Sequence, residues 1–310
     1  MTQKVLLIVG PTAVGKTDLS IKLAKKFNGE IISGDSMQVY RKLDIGTAKI
    51  TEDEMDGIPH YLINHKNSDE RYSVADFTAE SRAAISDIAS RGKLPIIVGG
   101  TGFYLQALLD NFQLGTDNDD DLNLRKELQE RAEKIGPEAL WQELESLDPN
   151  AALKIPVNNT LRVIRALEVI QKSNQLFSAQ ADQKTDEFDP FIIGLSTDRS
   201  VLYNRINRRV DLMIESGLID EAKWLFNQKI NDLPASKGIG YKELYAYFEE
   251  KQSLDEATEL IKRNSRRYAK RQLTWFRNKM AVNWFDLIEH PEQLSKIETQ
   301  IVDWLKGQKS

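Results

Sequence analysis

The stretch Gly10-Pro11-Thr12-Ala13-Val14-Gly15-Lys16-Thr17 has the spacing G-x-x-x-x-G-K-T and follows the apolar run Val5–Val9. Its two glycines let the backbone turn so that N–H groups point inward, with no side chain in the way of a phosphate. Lys16 offers a positive charge to a terminal phosphate, and the Thr17 hydroxyl can ligate Mg²⁺. A helix starting here directs its positive end at the same place. The loop alone leaves three chemistries open. It could hold a nucleotide that is hydrolysed, a nucleotide that gives up a phosphoryl group, or another diphosphate that simply departs.

Further reactive side chains lie at Ser33–Arg41. Asp35 can ligate Mg²⁺ through water or accept a proton, and Ser36 and Gln38 add hydrogen-bonding groups. A glutamine amide can pair with an adenine edge. Gly99-Gly100-Thr101-Gly102 closes another apolar run. Arg205, Arg208 and Arg209 fall on one helical turn, where they either clamp a departing diphosphate or form surface salt bridges. Between Lys262 and Lys279 there are eight basic residues and no acidic one. Lys262, Arg263, Arg266, Arg267, Lys270 and Arg271 repeat as a stripe along a helix. A solvated face normally mixes signs, so this one points to a phosphate backbone.

These groups need elements to hold them. Val5–Val9, Glu30–Ser33 and Leu94–Val98 read as short buried strands. Gly15–Phe27 and Ala75–Arg91 read as helices between them. The rhythm predicts βαβ units, and parallel strands present their carboxyl ends to one ligand crevice. From Gly115 to Asp189 only helical patterns occur: Asp121–Lys134, Glu138–Leu147 and Thr160–Ser173. Glu187-Phe188-Asp189-Pro190 breaks the pattern before a strand at Phe191–Leu195. Helices at Arg199–Ser216, Asp220–Asn227, Lys242–Glu250 and Leu254–Met280 follow, then a strand at Val282–Phe285. The expected fold class is α/β, a P-loop parallel sheet with helices on both faces plus an inserted all-helical domain. The core would span 1–114 and 190–310, discontinuously, and the helical insertion 115–189, with Gly115–Asp121 as a linker.

Composition narrows the classes. The chain has 310 residues, 41% apolar and 29% charged, a globular balance with enough chain for a sizeable core. No run of about 18 apolar residues is present, so no membrane partner is expected. The N-terminus passes straight into a strand-like run, so a secretory signal is not expected either. Cysteine is absent and there are three histidines, without metal-ligand spacing. Disulfides and thiolate metal sites are excluded, and a reducing, cytoplasmic setting is expected. Net charge is −5, so any polyanion site must be a local basic face.

Beyond the loop, the sequence resembles the tRNA dimethylallyltransferases, or tRNA isopentenyltransferases, along nearly its whole length. The stretches that carry the resemblance are GPTAVGKT at 10–17, SGDSMQVYRKLDIGTAK at 33–49 and IIVGGTGFYLQALL at 96–109. LRVIRALEV at 161–169, GIGYKEL at 238–244 and YAKRQLTWFRN at 268–278 complete it. The first is widely shared; the second, third and last together are specific. The resemblance implies that the loop holds the diphosphate of dimethylallyl diphosphate, whose prenyl group passes to N6 of adenine 37 in tRNA. Gly10 through Thr17 would bind the diphosphate with Arg205, and Lys16 and Arg209 would act on the leaving group. Asp35 would take the N6 proton, with Thr101 beside it. Mg²⁺ would be the cofactor, with Thr17 as a ligand. The tRNA anticodon stem-loop would touch Asp35, Ser36, Met37, Gln38 and Thr101, with the adenine flipped out of its stack. In the helical domain Arg125 and Leu161, Arg162, Val163, Ile164 and Arg165 would contact RNA, as would Arg266, Arg267 and Lys270 of the basic stripe. Leu161 stands where the family often has glutamine and offers no polar group. A monomer is expected.

Overall fold

Val5 to Val9 are fully buried in β1 (Gln3–Val9), as a strand covered on both faces requires. Val5, Leu7 and Val9 enter one apolar core, and Leu6 and Ile8 enter the other. A computed structural model describes residues 2–112, 119–179, 187–230 and 232–307. Within the described residues, β1 joins β2 (Gly29–Ser33), β3 (His60–Tyr61), β4 (Leu94–Gly99), β5 (Phe188–Leu195) and β6 (Asn283–Phe285) in one parallel sheet. Its order is β3-β2-β4-β1-β5-β6. Leu6 stands opposite Ile96 on one side and Phe191 on the other.

Helices cover both faces, as the rhythm of the sequence leads one to expect. One face receives α1 (Lys16–Lys26), through Leu19 and Leu23, and α13 (Gln293–Leu305), through Ile297 and Ile301. The other receives α3 (Val74–Ser90), α4 (Gly102–Leu109), α10 (Leu218–Asn227) and α12 (Leu254–Lys279). The helix α9 (Arg199–Glu215) contributes to both, with Leu202 and Ile206 in one core and Val210 in the other, and α12 also places Ala269 in the first. Capping boxes start α3 at Ser73 and α12 at Ser253. Short helices α2 (Glu52–Met55) and α11 (Tyr245–Phe248) decorate the connections.

The chain divides into two compact units, Met1–Leu109 with Thr185–Ser310, and Asp110–Lys184. The second unit contains α5 (Asp119–Ile135), α6 (Pro137–Leu147), α7 (Pro149–Ala152) and α8 (Thr160–Ser173) around Leu128, Leu140, Leu144, Val163 and Leu167. The linker expected at Gly115–Asp121 lies, through residue 118, outside the described residues.

Three local readings differ from the structure. The strand expected from Phe191 begins at Phe188 and includes Pro190. Pairing of β5 with β6 starts only at Ile193, so no strand flanks Pro190 on that side to miss its absent N–H. Lys242–Glu250 is a 3₁₀ turn, Lys242–Leu244, followed by α11. Glu243 is buried there and accepts from the Gly240 N–H (2.9 Å) and Asn264 Nδ2 (2.8 Å), which diverts the chain from a regular helix. The third difference is helices not anticipated from the sequence, among them α4 and the C-terminal α13.

Candidate active site

The carboxyl ends of β1, β2 and β4 release the chain into three loops that meet at one edge of the sheet. At the end of β1, Gly15 takes φ = 99° as the N-cap of α1, a left-handed conformation that glycine tolerates without cost. Lys16 Nζ lies back over the loop and donates to the Gly10 and Pro11 carbonyls at 2.9 and 2.7 Å. Burial, then the neighbouring Arg209, bring the Lys16 pKa down to about 8, while Asp35 works against both.

Two arginines from successive turns of α9 reach the loop from the other side. Arg205 Nε donates to the Ala13 carbonyl (2.9 Å), and Arg209 Nη1 donates to Thr12 Oγ1 (3.3 Å). Burial and the Arg205 charge lower the Arg209 pKa. Both arginines are therefore on the loop, and neither serves as a surface salt-bridge partner among the described contacts. Three positive side chains held this close, two of them destabilised in charged form, want an anion.

Asp35 begins the loop after β2, and its Oδ1 accepts the Met37 N–H at 2.8 Å. Thr101, after β4, accepts the Ser36 N–H through Oγ1 at 3.2 Å. Both donor bonds of the Gln38 amide are taken up by the protein, and its oxygen keeps one acceptor site. Its Nε2 donates to the carbonyls of Thr47 and Ala48 (3.2 and 3.3 Å), and Oε1 accepts from Ser33 Oγ (3.2 Å). Carbonyls accept only, so the amide orientation is determined.

Thr12 to Thr17, Asp35 to Gln38, Arg205 and Arg209 all line one cleft of about 660 Å³. Sequence reasoning missed its opposite wall, supplied by Tyr268, Arg271 and Gln272 of α12. The Tyr268 phenol faces Asp35, Thr101 and Gln272; burial, reinforced by the Asp35 charge, pushes its pKa up to about 12. Gln272 is buried, with Oε1 accepting the Thr12 N–H (3.0 Å) and Nε2 donating to the Gly100 carbonyl (3.0 Å). A signal for it existed: Gln272 occupies a position on the same helical face as Ile261, Ala269 and Phe276, where an apolar residue is the ordinary choice.

The basic stripe divides in two. Lys262 pairs with Asp211 of α9 (2.8 Å), and Arg266 Nη1 donates to Asn207 (2.5 Å). Arg263, Arg267 and Lys270 are exposed. In the helical unit, Arg125 holds the buried Glu168 carboxylate at 2.5 and 2.9 Å, and Arg165 reaches it at 3.1 Å. Val163 and Ile164 are core residues of that unit and present no surface to RNA, because their face of α8 packs inward. Leu161, at 73% exposure, and Arg162 do face solvent.

Comparison with known proteins adds independent findings. A family model described as IPP transferase matches residues 38–279. A tRNA dimethylallyltransferase of Ligilactobacillus salivarius is 62% identical over 98% of this chain and 100% of its own length. One from Enterococcus faecalis is 54% identical over 99% of both chains. The crystal structure of the full-length tRNA isopentenylpyrophosphate transferase from Bacillus halodurans superposes with a TM-score of 0.75 at 49% identity, covering 99% of this chain and 98% of that one. A eukaryotic dimethylallyltransferase acting on tRNA gives a TM-score of 0.82 at 32% identity, over 99% of this chain and 81% of that one.

Proposed function

Because the chain belongs to the IPP transferase family and transfers a dimethylallyl group to tRNA, we propose that its donor is dimethylallyl diphosphate and its acceptor N6 of adenine 37. The observation that carries this reading is the shared cleft, in which the cationic loop and the Asp35 edge face the same space. The loop N–H groups, Lys16, Arg205 and Arg209 bind the diphosphate. N6 attacks the allylic carbon, the carbon–oxygen bond breaks, and its electron pair leaves on the diphosphate. The same cations stabilise that developing charge. Asp35 accepts the N6 proton, which a weakly nucleophilic exocyclic amine must lose.

Mg²⁺ suits the donor set. Thr17, Asp18 and Asp35 bring hard oxygen atoms to the cleft, and among the described residues no three His, Cys, Asp or Glu converge into an all-protein cage. An ion that keeps its waters and takes phosphate oxygens fits such a place, with Thr17 as the protein ligand. When bound, Mg²⁺ supplies further charge to the departing diphosphate. The RNA meets Ser36, Met37, Gln38 and Thr101 at the cleft, Arg267 and Lys270 on α12, and Arg162 in the helical unit. No helix of the described residues is long and apolar enough to cross a membrane, and the absence of cysteine supports a cytoplasmic setting.

Incubation with unmodified tRNA and labelled dimethylallyl diphosphate, followed by digestion, should yield label in N6-dimethylallyladenosine from position 37. A requirement for ATP with release of ADP would replace this reading with phosphoryl transfer.

A further inference from the structure

The glycines after β4 bring α12 into direct contact with the site. A Cβ on Gly100 would lie 2.0 Å from Gln272 Nε2, so a larger residue there would displace that amide from its place. One residue later, Thr101 accepts the Ser36 N–H beside Asp35. A single hydrogen-bonded line therefore runs from the Thr12 N–H of the diphosphate loop, through the Gln272 amide, to the Gly100 carbonyl and the Thr101–Ser36 pair.

We propose that Gln272 is a positioning residue that sets the separation between the diphosphate loop and the Asp35–Thr101 edge, and so the distance over which the prenyl group must move. The inference rests on the functional reading above. A side-chain amide offers, on one stem, the acceptor that Thr12 needs and the donor that Gly100 needs, and from α12 glutamine makes both bonds. Pairing of β1 with β4 ends at Val9 and Gly99, so beyond that point the Gln272 amide is what ties Thr12 to Gly100. Gln272 is held in turn by α12, the helix that also exposes Arg267 and Lys270.

The test uses the full-length enzyme and two variants. Gln272→Met keeps the side chain's length and removes both bonds. Gln272→Glu keeps the acceptor for Thr12 but, when ionised, sets a carboxylate against the Gly100 carbonyl; when protonated, it regains a donor. Single-turnover transfer at saturating donor and tRNA should fall about 10- to 100-fold in Gln272→Met, the scale of a misplaced reacting pair. The dissociation constant for dimethylallyl diphosphate should stay within about 3-fold of wild type, because Lys16 and both arginines are untouched. Relative to wild type at each pH, Gln272→Glu should be slow at alkaline pH and recover as pH falls. That recovery is the readout a purely structural role would not give. Should Gln272→Met fail to fold, the pH profile of Gln272→Glu decides alone. Wild-type rates in Gln272→Met, or a flat pH profile in Gln272→Glu, would overturn the proposal. Wild-type enzyme that released no diphosphate from this donor would instead remove the functional reading beneath it.

Discussion

Asp35 and Lys16 carry the two opposite charges of the proposed transfer, and each can be tested by itself. In Asp35→Asn the amide oxygen can still accept the Met37 N–H, so the loop keeps its shape and loses only basicity. Single-turnover transfer should fall by roughly 10²–10⁴, with donor binding nearly unchanged. Near-normal rates would make Asp35 a spectator of the proton. For Lys16 the folded pKa, about 8, lies below the ordinary 10.5. Between those values the unfolded chain binds a proton that the native protein has released, so this group's contribution to the stability of the unliganded protein rises with pH across that window. Below pH 8 both states are protonated and the penalty for burying the charge is fully present. Diphosphate favours the charged form, so its affinity should weaken as pH rises through about 8, with proton uptake on binding. Calorimetry in buffers of different ionisation enthalpy measures that uptake, and Lys16→Met should abolish it. Binding without proton uptake at pH 9 would contradict the assignment.

At the scale of the element, α12 works on two sides. Its exposed side gives a prediction for RNA. Replacing Arg267 and Lys270 together by alanine should weaken tRNA binding and reduce the salt dependence, log K against log salt, by roughly 1–2. Lys262→Ala should leave that slope alone, because Lys262 is committed to Asp211, and should cost at most about 1 kcal/mol of stability. Equal slopes in all three proteins would return the exposed stripe to ordinary solvated surface. The same helix shows what the sequence makes legible. Its length and basic content were readable, as was the loop at Gly10–Thr17, because those signals are local. The roles of Gln272 and Tyr268 were not, since they depend on which strand-end loop α12 meets across more than a hundred and fifty residues of chain. The apparent six-residue stripe was misleading for a related reason. Helical spacing shows which residues share a face, but not that α9 lies beneath part of it and takes up Lys262 and Arg266. Glu243 similarly overrides a helical pattern through contacts outside its own segment.

At the scale of the whole molecule, the two units carry separate cores, and only one holds the Gly10–Thr17 loop. Inorganic pyrophosphate with Mg²⁺ should therefore protect amides of the α/β unit against hydrogen exchange by up to about 2.7 kcal/mol at 100 times its dissociation constant, and leave α5–α8 unprotected. Uniform protection of both would show that they unfold as one. The division also has a consequence in time. Strand β1 lies between β4 and β5, yet the ribosome makes β5 only after the whole helical unit, about a hundred residues after β4 is complete. At about 5–20 residues per second, the inner edge of β1 waits roughly 5–20 s for its partner. During that interval Val5–Val9, the most apolar strand of the sheet, is an open edge. Nascent chains stalled before Phe188 should recruit chaperones along β1, and chains released from the tunnel beyond Leu195 should not. The helical insertion thus sets how long that edge stays open during this protein's synthesis.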